Sequence, residues 1–432
     1  MLIHLPPFSS QSLCVTTAAM SPAGSGTLSL SPSSDTAPAQ FTHLSGTYPL
    51  KLLAPHPLPS QPANLRVCYM LAYGGGLVAG DTISLHVRVG KGSKLILLTQ
   101  GSTKVFKTRV GRGPPLSQGL DGGTSNDSAA SKGITRQRLL VYLDPGSLLL
   151  LLPDPIQPFK SSSYIQSQRF IFPAPSLSSE TEPPANALVL DWFTSGRNVA
   201  QGSTSKYQEE WEFDLYSSMN EIVYASPPPS SSRPTDNNLN NDRNDFGKSA
   251  ARPQQHPARS HVVAPVVSPS TIPFMREKVT LTNTSPPLAN PTSTPPTAGG
   301  TALQARMRPY QIYATLLIHG PLLAPLINHL VTLSNSIKQR QFQAKEPDEL
   351  VWSFSKVPPP REGVHFTRAV ATADGGGGSG GSGGSGDGDT GGTGILRIAG
   401  TETERVKVWI EDVLVAGGVR DLVGNALWQR IF

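Results

Sequence analysis

The segment Thr82–Val89, TISLHVRV, alternates strictly: Ile83, Leu85, Val87 and Val89 fall on one side of an extended chain, and Thr82, Ser84, His86 and Arg88 on the other. A period of two belongs to a strand with one face buried and one in water. Further short runs follow along the chain: SKLILLT, TKVFKTRV, QRLLVYL, SLLLLL, YIQSQRFIF, ALVLDWF, EEWEFDLY, NEIVYA, REKVTLT and YQIYATLLI. So many strand-length runs hold the chain to a mainly β fold, either stacked sheets or a β-solenoid-like scaffold. No internal sequence repeat marks a regular solenoid. Gly90-Lys91-Gly92 separates the first two runs, which predicts that Thr82–Val89 and SKLILLT pair as a hairpin.

Helical periodicity is confined to the C-terminal end. After Gly320-Pro321, the residues Leu323, Leu326, Ile327, Leu330, Leu333 and Ile337 make one apolar stripe. Thr401 with Glu404 predicts a capping box before RVKVWIEDVLV, and Gly417-Gly418 ends that helix. A last helix is expected over 419–432, burying Leu422, Val423, Ala426, Leu427 and Ile431.

Gly and Pro number 41 each in 432 residues, and they concentrate where large apolar side chains are missing. The tracts at about 111–133, 226–300 and 374–394, and the first 40 residues, hold too little apolar surface to offset the entropy of ordering. The expected organisation is therefore a disordered tail over 1–40 and a single β domain over 41–432, interrupted by three disordered inserts. The net charge of +6 is spread thinly, with no Lys or Arg before Lys51. Pairs such as Lys104 with Lys107 and Arg136 with Arg138 do not make a groove-sized patch, which argues against nucleic acid and for an acidic protein partner. Two cysteines, Cys14 and Cys68, build neither a disulfide framework nor a four-thiolate site, so a reducing compartment is expected. With no leader-like N-terminus and no apolar run of eighteen residues, the expected setting is the cytoplasm, away from the membrane.

The glycine run Gly74-Gly75-Gly76-Leu77-Val78-Ala79-Gly80-Asp81 admits three readings: a phosphate cradle, a metal site or a tight turn. A phosphate cradle needs a helix after the glycines, and here a strand follows. The one GKS, at Gly247 to Ser249, has Asp242 where a Walker loop needs glycine. Gly-x-Ser-x-Gly matches fall in low-complexity runs, and nine histidines show no His-x-x-His spacing. LPDPIQPFKSSSY is fixed by three prolines and reads as a corner between sheets or a partner-contact loop. The stretch SGRNVAQGSTSKYQEEWEF carries the same two readings.

Taken in order, GGGLVAGD with LLTQGSTKVF, LPDPIQPF with SSSY, LDWFTSGR with EEWEF, and VLVAGGVRDLVGNALWQRIF resemble the urease accessory proteins of the UreD family, called UreH in some bacteria. The proline segment is most similar to the fungal type. The resemblance implies a non-enzymatic maturation factor that binds apo-urease and UreF and, with the GTPase UreG, assists nickel delivery. Nickel would be cargo in transit, with no tightly bound cofactor. By motif match, Asp81 and Glu209 are the candidates for a polar path for the ion. The matching motifs also contain Gly74, Gly75, Gly76, Gly80, Thr99, Gln100, Lys104, Pro158, Phe159, Gly196, Arg197 and Trp211. The family pattern Gly-Arg-x-x-x-Gly-Glu is interrupted here by six residues between Gly202 and Glu209. A conduit wants dispersed carboxylates, because a tight ligand cluster traps a borderline cation such as nickel. Two other readings stand beside this one: a hydrolase or lyase using Asp81, Asp191 and Glu209 as acid and base groups, and a purely structural adaptor.

Overall fold

The computed structural model describes residues 21–32, 37–107, 133–173, 182–197, 209–225, 271–283, 301–336, 349–358 and 392–431. The chain opens with β1 (Ser25–Pro32) and β2 (Ala39–Gly46), then crosses to β3 (Leu50–Leu53) and β4 (Leu65–Ala72). From there it winds. It turns through a corner strand β5 (Gly76–Leu77), runs back along β6 (Thr82–Val89), and returns as β7 (Lys94–Leu98). The next coil is corner β8 (Thr103–Val105), β9 (Thr135–Leu143) and β10 (Leu148–Leu151), and the next is corner β11 (Ile156–Pro158), β12 (Ser163–Phe172) and β13 (Asn186–Thr194). A ribbon of β14 (Gly196–Arg197) and β15 (Glu209–Glu210) makes the last corner before β16 (Leu215–Ala225). β17 (Thr271–Thr282), α1 (Ala302–Met307), β18 (Ile312–His319), α2 (Ala324–Ser336), β19 (Leu350–Val357), β20 (Thr393–Gly400), α3 (Thr403–Ala416), α4 (Val419–Val423) and α5 (Asn425–Ile431) complete the described fold.

Two sheets result. One has seven strands in the order β17-β16-β12-β9-β6-β1-β2, and the other has eleven, with a main path β19-β20-β18-β13-β10-β7-β4-β3. Successive coils pair in parallel: β1, β6, β9, β12 and β16 in the first sheet, and β4, β7, β10 and β13 in the second. Antiparallel strands flank both parallel stacks, namely β2 and β17 in one sheet and β3 and β18 in the other. The corners stack as well, with Gly76 opposite Lys104 and Lys104 opposite Gln157. The fold is thus a short β-solenoid built without a repeating sequence, because backbone register alone carries the repeat.

The two sheets enclose one apolar core, to which Leu28, Leu85, Val87, Leu97, Val141 and Phe170 contribute. A second core lies between the eleven-stranded sheet and the helices, joining Leu150, Leu190 and Leu316 to Leu326, Ile410 and Trp428. Every residue of β13 is buried, since this strand has a sheet on one face and helices on the other. That is why ALVLDWF is apolar at every position but Asp191, and why β6 alternates.

Several expectations are corrected. β6 and β7 do not form a hairpin: the turn at Gly90–Gly92 carries the chain from one layer to the other, and alternation reports a buried face without naming the partner strand. Ser25–Pro32, expected within a tail, is β1, with Leu28 and Leu30 in the core. β17, expected within an insert, pairs along β16 from Leu215↔Thr282 to Ala225↔Thr271. β20 likewise begins at Thr393, inside the third expected insert. EEWEFDLY is not one strand, because Trp211 takes φ 58° and breaks it. Thr401 does not cap α3; the N-cap is Glu402, and the Thr401 hydroxyl donates to the Glu349 carbonyl. The last helix breaks in two at Gly424, whose φ is 93°. The rest of the first 40 residues and of the three tracts, apart from a few flanking positions, and Ile337 and Phe432, lie outside the described residues.

Two stability consequences follow from this packing. Leu28→Ala is expected to cost about 2–5 kcal/mol in urea denaturation; a cost under about 0.5 kcal/mol would put Ser25–Pro32 outside the core. His319, at the end of β18, packs 4.4 Å from the Phe172 ring and shares a 2.7 Å hydrogen bond with the Thr393 hydroxyl. Burial pushes its pKa down from 6.5 to about 4. Between those values the unfolded chain binds a proton that the folded chain refuses, so stability should fall as pH drops through that window. His319→Gln should flatten this slope in pH-dependent unfolding midpoints.

Candidate functional site

Strand alternation points Tyr164, Gln166, Gln168, Phe170 and Phe172 of β12 toward the facing sheet. The first three make that stripe polar over half its length. In β16 the same side presents Tyr216, Ser218, Asn220 and Ile222. Register then lines the polar groups into rungs: Gln137, Gln166 and Ser218 on one, and Gln168, Asn220 and Glu277 on the next. The facing sheet contributes its own rung, Asp191, Thr315 and Arg397.

Asp191 is the centre of this layer. Its Oδ1 accepts from Gln166 Nε2 at 3.0 Å, and its Oδ2 accepts from Ser218 Oγ at 2.5 Å and Asn220 Nδ2 at 2.6 Å. Burial raises its pKa, and the three donors oppose that shift. The Tyr164 hydroxyl donates to Gln166 Oε1 at 2.9 Å, so the cluster extends along β12. At the β17 side, burial raises the pKa of Glu277, and Arg397 opposes the shift from 3.6 Å. Gln168 Oε1, Asn220 Oδ1 and Glu277 Oε2, all on one rung, are buried acceptors without a hydrogen-bond partner among the described residues. Three such oxygens on one rung form an oxygen-lined lane suited to water or a hard or borderline cation.

The Asp191 end of the polar layer adjoins a surface cleft. Gln137, Gln166, Gln168 and Asp191 line an internal space of about 20 Å³, enough for about one water. This space shares Thr99, Pro153, Asp154 and Trp192 with an open cleft of about 490 Å³ beside α3 and α5. Asp154 is held at that junction, its backbone amide donating to Thr99 Oγ1 at 2.8 Å and its carboxylate accepting from the Gly101 amide at 2.8 Å.

The sequence-derived candidates fall in four places. Thr99 and Gln100 line the cleft. Gly76, Lys104, Pro158, Phe159, Gly196, Arg197 and Glu209 gather at the stacked corners: Glu209 Oε2 accepts from the Lys160 amide at 3.0 Å, and the Arg197 guanidinium lies 5.2 Å from the centre of the Phe159 ring. Gly76 is required there, because a Cβ would meet the Lys104 carbonyl at 2.6 Å. Asp81 closes the turn after the glycine run, its carboxylate accepting from the Val78 amide at 2.9 Å, and burial raises its pKa. Gly74, Gly75 and Gly80 supply the positive φ angles of that turn. Trp211 is fully buried beside Phe213 and Tyr313.

Asp81, Asp191 and Glu209 therefore engage separate partners on separate elements. Among the described residues, no three His, Cys, Asp or Glu side chains group as a metal site. Glu210, next to Glu209, is a tether: it accepts from Gln304 and Gln311 at 3.0 and 2.7 Å and pairs with Arg308, binding the ribbon to α1. Sequence reading missed Gln166, Gln168, Ser218, Asn220, Glu277 and Asp154. The one signal available was the pair of glutamines interrupting YIQSQRFIF.

Comparison with known proteins adds an independent line. The family model described as UreD urease accessory protein matches residues 24–234, beginning one residue before β1. The chain is 36% identical over 408 residues to urease accessory protein 4 of Cryptococcus neoformans var. grubii, covering 94% of each chain. It is 35% identical over 188 residues to an uncharacterized urease accessory protein ureD-like of Schizosaccharomyces pombe, spanning 44% of this chain and 51% of that one. Against urease accessory protein D of Oryza sativa subsp. japonica the identity is 33% over 42% of this chain and 47% of the relative.

The raised pKa of Asp191 has a measurable sign. Relative to Asp191→Asn, the parent should be most stable below the ordinary carboxylate value of 3.8 and lose that advantage as pH rises through the folded value. Urea midpoints of both proteins from about pH 4 to about pH 8 check this. Parallel curves would show that the carboxylate ionises inside as easily as in water.

Proposed function

The chain belongs to the UreD family of urease accessory proteins, and on that premise we propose that it is a cytoplasmic, non-enzymatic maturation factor for urease. It binds apo-urease and UreF and, together with the GTPase UreG, assists delivery of nickel to the urease active site. Nickel is cargo in this reading.

The observation that carries the proposal is the polar lane through an otherwise apolar core. Burying Asp191, Gln168, Asn220 and Glu277 between the sheets opposes stability, and an apolar rung in their place would serve a scaffold better. Oxygen donors spread one per strand bind nickel loosely and in sequence, as a conduit requires. We assign Asp191 and Glu277 to this lane. Asp81 and Glu209 hold the corners, where backbone amides engage their carboxylates. In support of the setting, no helix among the described residues is long and apolar enough to cross a membrane.

A second reading, a structural adaptor without a role for metal, draws on the three donors that satisfy Asp191 and tie the two sheets together. One experiment separates the two. Cells lacking the protein should accumulate urease polypeptide without urease activity, and normal activity in those cells would overturn the assignment. Complementation with Asp191→Asn should restore co-purification with UreF but leave purified urease poor in nickel. Full nickel content with that variant would favour the adaptor.

A further inference from the structure

Helices α2 to α5 cover the outer face of the eleven-stranded sheet with Leu326, Ile327, Val413, Val423, Leu427 and Trp428. The layer stops short of β3. There Leu53 is 43% exposed, and the rings of Tyr48 and Tyr73, at 68% and 50%, meet at a tilt with centroids 5.6 Å apart. Lys51 and Leu53 share the outward side of β3, and Leu53 lines the 490 Å³ cleft whose apolar wall includes Leu98, Leu152, Trp192 and Ile410. Exposed aromatic pairs beside a preformed cleft with one apolar wall mark an interaction site.

Three cations rim this surface. Lys407 and Arg430 stand at the helical wall of the cleft, and Lys51 lies 5.8 Å from the centre of the Tyr73 ring. None of the three has a carboxylate within ion-pair reach among the described residues. The outer face of the seven-stranded sheet differs: Arg88 pairs with Asp144 and both Arg169 and Arg276 pair with Glu221, and among the described residues it carries none of the exposed large apolar side chains.

We propose that the cleft between β3, β4, α3 and α5 receives an acidic amphipathic helix from a protein partner in urease activation. The gap lies in a layer of helices over a sheet, so a helix completes the layer. Its apolar stripe fills the cleft and covers Tyr48 and Tyr73, and its carboxylates meet Lys51, Lys407 and Arg430. The choice of partner system rests on the reading given above; the choice of surface rests on the cleft.

Purified UreF and apo-urease are the probes, with affinity for the full chain measured at low and high salt. The variant pairs are Lys407→Glu with Arg430→Glu, Tyr48→Ser with Tyr73→Ser, and, on the other sheet, Arg138→Glu with Lys278→Glu. Both cleft pairs should weaken binding to one probe by about tenfold or more while the third pair stays within about twofold. Salt should weaken binding by the parent and have little effect on the charge-reversed cleft pair. Unchanged binding by both cleft pairs overturns the docking assignment alone. So does a loss seen only with the Arg138 and Lys278 pair. A parent chain that binds neither probe overturns this assignment and the urease reading together.

Discussion

Parallel register between successive coils is the constraint on which the rest depends. β7 lies between β4 and β10 with Lys94 opposite both Leu65 and Leu148. One residue of slip would turn Leu95 and Leu97 away from the inter-sheet core and expose the opposite side of every neighbouring strand. The same register stacks the corners and lines polar side chains into rungs. Backbone pairing therefore positions the candidate site as well as the core.

This arrangement explains how a polar layer survives inside a β scaffold. Each rung spans several strands, so a carboxylate from one sheet meets amide and hydroxyl donors already fixed on the other. Asp191 gains three such donors without any loop having to fold over it. The apolar residues on either side, Phe170 and Ile222 among them, keep bulk water from replacing those bonds. Specificity of the layer thus comes from strand geometry, and its cost is carried by a large core.

Much of the strand content was legible, because alternation in β6 and the apolar run of β13 follow directly from one covered face and two. Pairing was less so. Gly90–Gly92 has the composition of a hairpin turn, yet the same residues serve a crossing between layers, and local chemistry does not distinguish the two. The ordered β1 was hidden among Ser, Pro and Gly because only Leu28 and Leu30 of its side chains are core-directed and fully covered. Within the site, Asp191 stood out as an acid in an apolar strand, but its partners lie 25 to 29 residues away, across the coil on β12 and on the next coil in β16. No spacing rule connects them before the register is known.

The antiparallel strands at the ends of the parallel stacks carry a consequence for assembly. A parallel solenoid with open ends presents a template on which a second molecule can continue the winding. Here β2 and β3 reverse direction at one end, and β17 and the β18, β20 and β19 series reverse it at the other. A coil added from a second molecule would therefore meet a strand running the other way and could not extend the parallel register that stacks the corners and rungs.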